Sequence, residues 1–274
     1  VKPAPFAYAR ASGLAEVLDV LEREGEHCRL LAGGQSLLPA LNLRLAAPPL
    51  LLDISGLPEL RGIAALPGGG VRLGALTRHA ELESDPLVAA RAPLLARAAP
   101  LIAHPAIRNR GTLGGSLALA DPAAELPACM LALEATILAH SRRGERRIPA
   151  SEFFRGLYTT ALAADEVLAA VEIPPPGPGE GSVILELARR HGDYAIVGVA
   201  AVGRRRSARL AFFGVGATAM RARAAEAALA EGVAAAQAAL AADLDPPADL
   251  HGPPALRLHL ARVLLGRALS QLPE

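Results

Sequence analysis

Two glycine-rich turns carry the residue types that hold a phosphate. In Leu31-Ala32-Gly33-Gly34-Gln35-Ser36-Leu37 a short apolar run turns on paired glycines into a helical pattern. Glycine lets backbone N–H groups approach a ligand closely, and the start of a helix adds a partial positive charge that suits an anion. The second turn, Arg108-Asn109-Arg110-Gly111-Thr112-Leu113-Gly114-Gly115-Ser116, offers hydroxyls and unhindered amides for the other side of a pyrophosphate. Each turn alone is more often a tight loop beside a strand. Carboxylates follow at Asp121 and Glu125, and the combination is more specific. Phosphates take amides, whereas ribose or ribityl hydroxyls take carboxylate acceptors, so the set describes what a dinucleotide requires. Asp121-Pro122 also reads as an N-cap and first-turn pair that opens a helix, a role compatible with ligand contact.

These turns need elements to position them. Leu14, Val17, Leu18 and Leu21 keep helical spacing after Ser12, a suitable N-cap, and Gly25 ends the run. A strand at 29–32, a helix at 36–45 with Pro39 in its first turn, and a strand at 50–54 follow, and Pro58 closes the unit. Residues 60–66 and 71–73 flank Pro67-Gly68-Gly69-Gly70 and read as a hairpin. Next come a helix at 86–102, a turn-rich segment at 104–116, a helix at 122–133 and strands at 135–139 and 167–173. Pro174-Pro175-Pro176-Gly177-Pro178-Gly179 is a stiff extended connector. Beyond it three apolar strands, 183–188, 195–202 and 208–215, precede helices at 221–241 and 255–269. The order predicts an α+β chain in three parts, residues 1–58, 59–176 and 180–274. The last would be an antiparallel sheet covered by helices on one face.

Composition narrows the function classes. A net charge of +1 and an aromatic content of 3% argue against a nucleic-acid partner. The richest apolar stretch, 30–54, is broken by Gly33, Gly34, Pro39, Arg44 and Pro48, so no integral membrane segment is expected. Seven histidines without paired spacing, and two distant cysteines, Cys28 and Cys129, indicate no metal site. The cysteine usage and the lack of a visible signal peptide fit a cytoplasmic protein. Phe213-Gly214-Val215-Gly216-Ala217-Thr218-Ala219 imitates a dinucleotide fingerprint but lacks its third glycine and acidic partner, and reads as a tight strand-to-helix turn. Arg142-Arg143-Gly144-Glu145-Arg146-Arg147 reads as a solvated hairpin tip. His104 is a loop histidine, facing a ligand or satisfied by backbone.

Four motifs in order resemble the FAD-binding medium subunit of molybdenum hydroxylases, the group of carbon monoxide dehydrogenase and xanthine dehydrogenase. They are Ala32 to Leu37, Ile107 to Ser116, Asp121-Pro122-Ala123-Ala124-Glu125-Leu126-Pro127, and Gly192-Asp193-Tyr194-Ala195 with Val197-Gly198-Val199-Ala200. The resemblance implies two α+β subdomains of the vanillyl-alcohol-oxidase type with FAD between them, and a C-terminal antiparallel domain. It implies that Leu31, Ala32, Gly33, Gly34, Gln35, Ser36 and Leu37, with Ile107, Thr112, Gly114, Gly115 and Ser116, hold the pyrophosphate and neighbouring flavin parts. Glu125, with Asp121 nearby, would bond the hydroxyls. Ile102 and Leu168 would line the adenine pocket, and Tyr194 would lie near the isoalloxazine ring. Ser116 stands where asparagine is common and Leu113 where isoleucine is frequent. A lysine that many relatives carry before Arg189-Arg190 is missing.

The function implied is electron transfer within a complex. A large partner would hold the molybdenum cofactor, a small partner the iron–sulfur clusters, and the assembly would be a dimer of heterotrimers. This chain lacks the clustered cysteines that such clusters need. No catalytic residue is required of it. Two rivals stand beside this reading. One is a free-standing flavin oxidoreductase using His191 or Tyr194 near the flavin, and the other is a scaffold that has lost its flavin.

Overall fold

The computed structural model describes residues 2–274 and distributes them over four sheets. The chain begins with β1 (Ala7–Arg10), α1 (Leu14–Glu24), β2 (Cys28–Leu31), α2 (Leu37–Asn42) and β3 (Leu50–Asp53). Its three strands are parallel, in the order β1-β3-β2. Parallel neighbours need crossover connections, and α1 supplies one, burying Val17, Val20 and Leu21. Gly25, at φ +50°, ends α1 in a conformation that costs other residues more. Ser12 is not the cap. Gly13 occupies that position, and Ser12 donates its N–H and Oγ–H to Glu16 Oε2 at 2.7 and 2.6 Å. Helix α2 is shorter than its apolar pattern predicts, because the chain turns at Arg44, φ +57°.

The middle of the chain runs β4 (Ile63–Ala65), β5 (Val71–Gly74), α3 (His79–Ser84), α4 (Pro86–Arg91), α5 (Pro93–Ala98), α6 (Pro105–Arg108), α7 (Leu113–Leu119) and α8 (Glu125–Ala132). It continues through β6 (Thr136–Ser141), β7 (Gly144–Pro149), α9 (Ala150–Phe153), β8 (Phe154–Gly156), β9 (Thr159–Thr160) and β10 (Val167–Ile173). Five strands form an antiparallel sheet, β4-β5-β10-β6-β7, and β8 and β9 form a small hairpin. Every residue of α8 is buried.

Three expectations change here. The helix predicted over 86–102 is broken at Ala92, since Pro93 cannot continue the hydrogen-bond ladder and starts a new helix instead. The turn-rich segment 104–116 contains α6 and the start of α7, so Gly114-Gly115-Ser116 lies in a helix. Helix α8 starts at Glu125 rather than Pro122. Asp121 Oδ1 accepts the Ala123 N–H at 2.9 Å and forms an Asx turn ahead of the helix. The arginine-rich β6–β7 tip is exposed, as expected, and its arginines also form ion pairs: Arg142 with Asp19, Arg143 with Asp165, Arg146 with Glu166 and Arg147 with Glu172.

The C-terminal part contains β11 (Gly181–Leu187), β12 (Val197–Gly203), β13 (Arg209–Phe213), β14 (Met220–Arg221), α10 (Arg223–Ala228), α11 (Val233–Asp243) and α12 (Pro254–Gln271). The four strands pair in sequence order, all antiparallel. Val197, Val199, Ala201, Leu210 and Phe212 join the helices' core, whereas Ile184, Ala200, Val202, Ala211 and Phe213 join the core that includes α8. The predicted helix 221–241 is two helices, parted at Gly232, φ +118°. The Phe213–Gly216 stretch leads into the edge strand β14, not a helix. There the Gly214 N–H donates to Pro122 O at 2.8 Å, tying this part to the middle of the chain. Among the described residues no helix is long and apolar enough to cross a membrane.

Close packing between β12 and β13 gives a direct test. A side-chain carbon on Gly198 would lie 2.0 Å from Phe213 Cζ, a severe clash, while one on Gly156 would meet nothing within 4 Å. Gly198→Ala should therefore lower stability by about 1–3 kcal/mol. Gly156→Ala should change it by less than about 0.5 kcal/mol. Chemical denaturation of the two variants beside the parent chain measures both.

Candidate functional site

The first glycine turn leaves β2 at Leu31, whose carbonyl accepts Ile54 N–H at 3.0 Å and so fixes the strand end against β3. Gly34, at φ +73°, reverses the chain. The N–H groups of Gly33, Gly34, Gln35, Ser36 and Leu37 have no acceptor among the described residues. The Gln35 side chain instead donates to Gly33 O at 2.9 Å. Five consecutive amides without an internal acceptor are the kind of donor set that an anion takes. Helix α2 has only six residues, so the amides themselves, rather than a long helix dipole, supply the positive potential.

The second turn lies directly against the first. A Cβ on Gly33 would press into the carbonyl oxygen of Arg110 and lie 2.9 Å from Gly111 Cα. The guanidinium of Arg78 donates to that same Arg110 carbonyl. Beyond it most amides are engaged internally. Leu113 N–H donates to Thr77 O at 2.9 Å, Gly114 N–H to Ala75 O at 2.8 Å, and Gly115 N–H to Thr112 Oγ1 at 3.1 Å. Ser116 N–H bonds Thr112 O at 3.0 Å. The expectation of unhindered amides here is thus corrected. The turn presents the exposed Gly115 and the half-buried Ser116, while its amides anchor it. The anchor reaches into the sheet: a register shift in β10 at Ala169 leaves that residue's carbonyl to accept Ala75 N–H at 2.9 Å. A Cβ on Gly114 would lie 2.6 Å from Ala75 Cβ, so no larger residue fits.

Helix α7 spans roughly 10 Å from its seven residues. It ends at Ala120, φ +54°, and delivers Asp121 and Glu125 to its far end. Glu125 is buried, 7% exposed. Loss of solvent, with the charges of Glu186 and Asp121, pushes its carboxyl up to about 8. Burial also raises the Asp121 carboxyl. The Tyr158 hydroxyl stands 3.5 Å from Asp121 Oδ2, and Tyr158 itself, at φ +52°, occupies the tip of the β8–β9 hairpin. Tyr194 exposes 65% of its surface. The surrounding protein and the charge of Asp121 nonetheless hold its hydroxyl above the usual phenol range.

The loop carrying Tyr194 is held from two sides. A Cβ on Gly192, φ +82°, would lie 2.7 Å from Ala103 O. The buried Arg257 of α12 donates to Ile196 O and to Gly214 O. The facing turn is fixed by Arg108, which pairs with Glu83 at 2.9 Å and donates to Ile102 O and Ala103 O at 3.3 Å each. Ile102 and Ile107 are half-buried. Leu168 is 4% exposed within the core against which Ile102 packs. His104 and His191 are exposed. Among the described residues no group of three or more His, Cys, Asp and Glu could hold a metal ion.

Sequence reasoning missed Arg78, His79, Tyr158 and Glu186. His79 lies beneath the second turn, with Nδ1 2.9 Å from where a Gly111 Cβ would be, and its two ring nitrogens are buried without partners. Desolvation lowers it to about 4 and keeps it neutral. Only Glu186 left a legible signal, a lone carboxylate inside an apolar strand.

Comparison with known proteins adds an independent line. Residues 4–176 match the family model described as the FAD binding domain in molybdopterin dehydrogenase, and residues 184–272 match the CO dehydrogenase flavoprotein C-terminal domain. The chain is 40% identical to the 6-hydroxypseudooxynicotine dehydrogenase complex subunit alpha of Paenarthrobacter nicotinovorans, covering 99% of this chain and 95% of that one. It is 39% identical to the carbon monoxide dehydrogenase medium chain of Hydrogenophaga pseudoflava, covering 98% and 97%. A solved structure of the carbon monoxide dehydrogenase from Hydrogenophaga pseudoflava superposes with a TM-score of 0.95 at 40% identity, over 98% of each chain. Quinoline 2-oxidoreductase from Pseudomonas putida 86 gives 0.92 at 39%, over 99% and 98%.

The buried Glu125 predicts how stability varies with pH. Its folded value is raised from 4.5 to about 8, so the neutral form is favoured on folding. Its contribution is present below 4.5 and lost as pH rises toward about 8. Glu125→Gln should flatten that decline and raise the stability of the ligand-free chain above pH 8 by about 2–4 kcal/mol. Denaturant midpoints across this range are the measurement.

Proposed function

The chain belongs to the FAD-binding medium subunits of molybdenum hydroxylases, and from that premise we propose that it is the electron-exit subunit of such a complex. A large subunit holding the molybdenum cofactor oxidises the substrate, and an iron–sulfur small subunit delivers the electrons to this chain for an external acceptor. The three subunits assemble as a dimer of heterotrimers. The free, buried thiols of Cys28 and Cys129 suit a reducing cytoplasm.

The single observation that carries this reading is the backbone contact between Gly33 and the Arg110–Gly111 turn, with the free amides of residues 33–37 beside it. A Cβ would close that cradle, and a pyrophosphate accepts the hydrogen bonds those amides have to give. Ala32 to Leu37 and the Ser116 end of the second turn would hold the pyrophosphate. Glu125 and Asp121 would hold the hydroxyls, Ile102, Ile107 and Leu168 the apolar adenine side, and Tyr194 the isoalloxazine side. When bound, FAD supplies a carrier that exchanges one or two electrons at a time. The protein's own contribution is binding, orientation and shielding, so no general acid or base is assigned.

Spectroscopy of the purified chain, alone and with its partners, tests the proposal. The chain should bind FAD, and the flavin should bleach only when substrate and the iron–sulfur partner are present. Gly33→Ala should weaken FAD binding by about tenfold or more, equivalent to roughly 1.4 kcal/mol, with the circular dichroism unchanged. Turnover of a substrate by the isolated chain would instead make it a free-standing oxidoreductase. Failure to bind FAD under any condition would make it a scaffold.

A further inference from the structure

The second glycine turn is held between two faces. On one side is Gly33, whose Cβ, if it had one, would press into Arg110 O and lie 2.9 Å from Gly111 Cα. On the other stands His79, the first residue of α3. A Cβ on Gly111 would lie 2.9 Å from both Nδ1 and Cε1 of that imidazole, and 3.2 Å from Ile107 O. The segment that carries His79 is tied to the turn by hydrogen bonds. Thr77 O accepts the Leu113 N–H at 2.9 Å, the His79 N–H donates to Gly111 O at 3.1 Å, and the Arg78 guanidinium donates to Arg110 O. Arg78 and Thr112 form an antiparallel bridge between them. None of these bonds uses the His79 side chain, which fills the space under Gly111. His79 is 6% exposed, and neither ring nitrogen has a hydrogen-bond partner among the described residues. Desolvation, with the positive charges of Arg108 and Arg78, keeps the ring neutral, and only the Thr112 backbone favours a proton on it. A flat, neutral ring without hydrogen bonds acts on its neighbour through volume and contact.

We propose that His79 is a positioning residue for FAD: its imidazole props Gly111 and so sets the second turn at the distance from Gly33 that the pyrophosphate requires. The proposal rests on the FAD-binding reading above. Removing the ring opens a cavity beside Gly111, and packed neighbours relax partly into such a cavity. The turn then settles away from Gly33, and the free amides of residues 33–37 lose their opposing wall. A methyl group on Gly111 does the reverse, because it forces the turn off the ring. The backbone at Gly111 lies outside the left-handed region, so an alanine there is limited by space alone. The two changes should therefore compensate, since the methyl group of Gly111→Ala takes up part of the room that His79→Ala vacates.

The test is a double-mutant cycle on the full chain, with FAD affinity read by flavin fluorescence at one neutral pH. His79→Ala and Gly111→Ala should each bind FAD about tenfold more weakly than the parent, and the double variant should return to within about threefold of it. Circular dichroism and melting establish that each variant is folded at the temperature of the titration. If His79 serves stability alone, the single variants melt earlier but bind FAD as the parent does, and that result would overturn the positioning role. Losses that add, to about a hundredfold in the double variant, would overturn it as well. Where His79→Ala does not fold, Gly111→Ala decides by itself: a tenfold loss supports the proposal and a parent-like affinity sinks it. In each of these outcomes FAD binding by the parent stands. A parent chain that binds no FAD would overturn the FAD-binding reading and this proposal with it.

Discussion

The approach of one backbone to another at Gly33 is the constraint on which the site depends. Two turns separated by more than seventy residues touch there through a glycine and a peptide carbonyl, with no room for a side-chain carbon between them. The contact joins the parallel sheet to the middle of the chain and puts the free amides of residues 33–37 beside the start of α7. Its second side is held by buried parts. Arg78 fixes the Arg110 carbonyl, Ala75 takes the Gly114 amide, and the shift in β10 supplies the carbonyl that holds Ala75. One surface turn is thereby built on the central sheet. Such support limits the loop motion that would otherwise blur a binding geometry.

A second set of contacts closes the far end. Helix α8 is buried on all sides between the five-stranded sheet and the C-terminal sheet, and it begins with Glu125 at the seam. The Tyr194 loop is clamped by Arg257 from its own domain and pressed at Gly192 against the turn that Arg108 secures. Burying arginines costs desolvation, and here each guanidinium is met by carbonyls and a carboxylate, Glu83 for Arg108 and Asp249 for Arg257. Glu125 lacks that compensation. An unpaired buried carboxyl reduces folding stability, and its persistence beside a candidate cofactor site follows the tendency of proteins to place local strain where they bind or react.

The periodicity of apolar residues made much of the framework legible. The hairpin around residues 67–70, the strand Val167–Ile173 and the long C-terminal helix are each local patterns that packing reinforces. Boundaries were less legible wherever a side chain competed with the backbone. Ser12 turned to Glu16 instead of capping, and Asp121 closed an Asx turn instead of opening α8. The glycine pair in the second turn was legible as an element of a site. That its amides serve as anchors was not, because their acceptors, Thr77 and Ala75, come from almost forty residues earlier.

By itself, the sequence determined the motifs, their order and hence the family, because glycine turns, carboxylates and apolar periods are local properties of the chain. Only the tertiary structure decided which amides remain free, which arginines are buried and which carboxyl loses its solvent. Those outcomes depend on desolvation and on contacts between segments far apart in sequence. Glu125 shows the difference most plainly. In the chain it is one carboxylate ahead of an apolar run, and only tertiary packing leaves it 7% exposed.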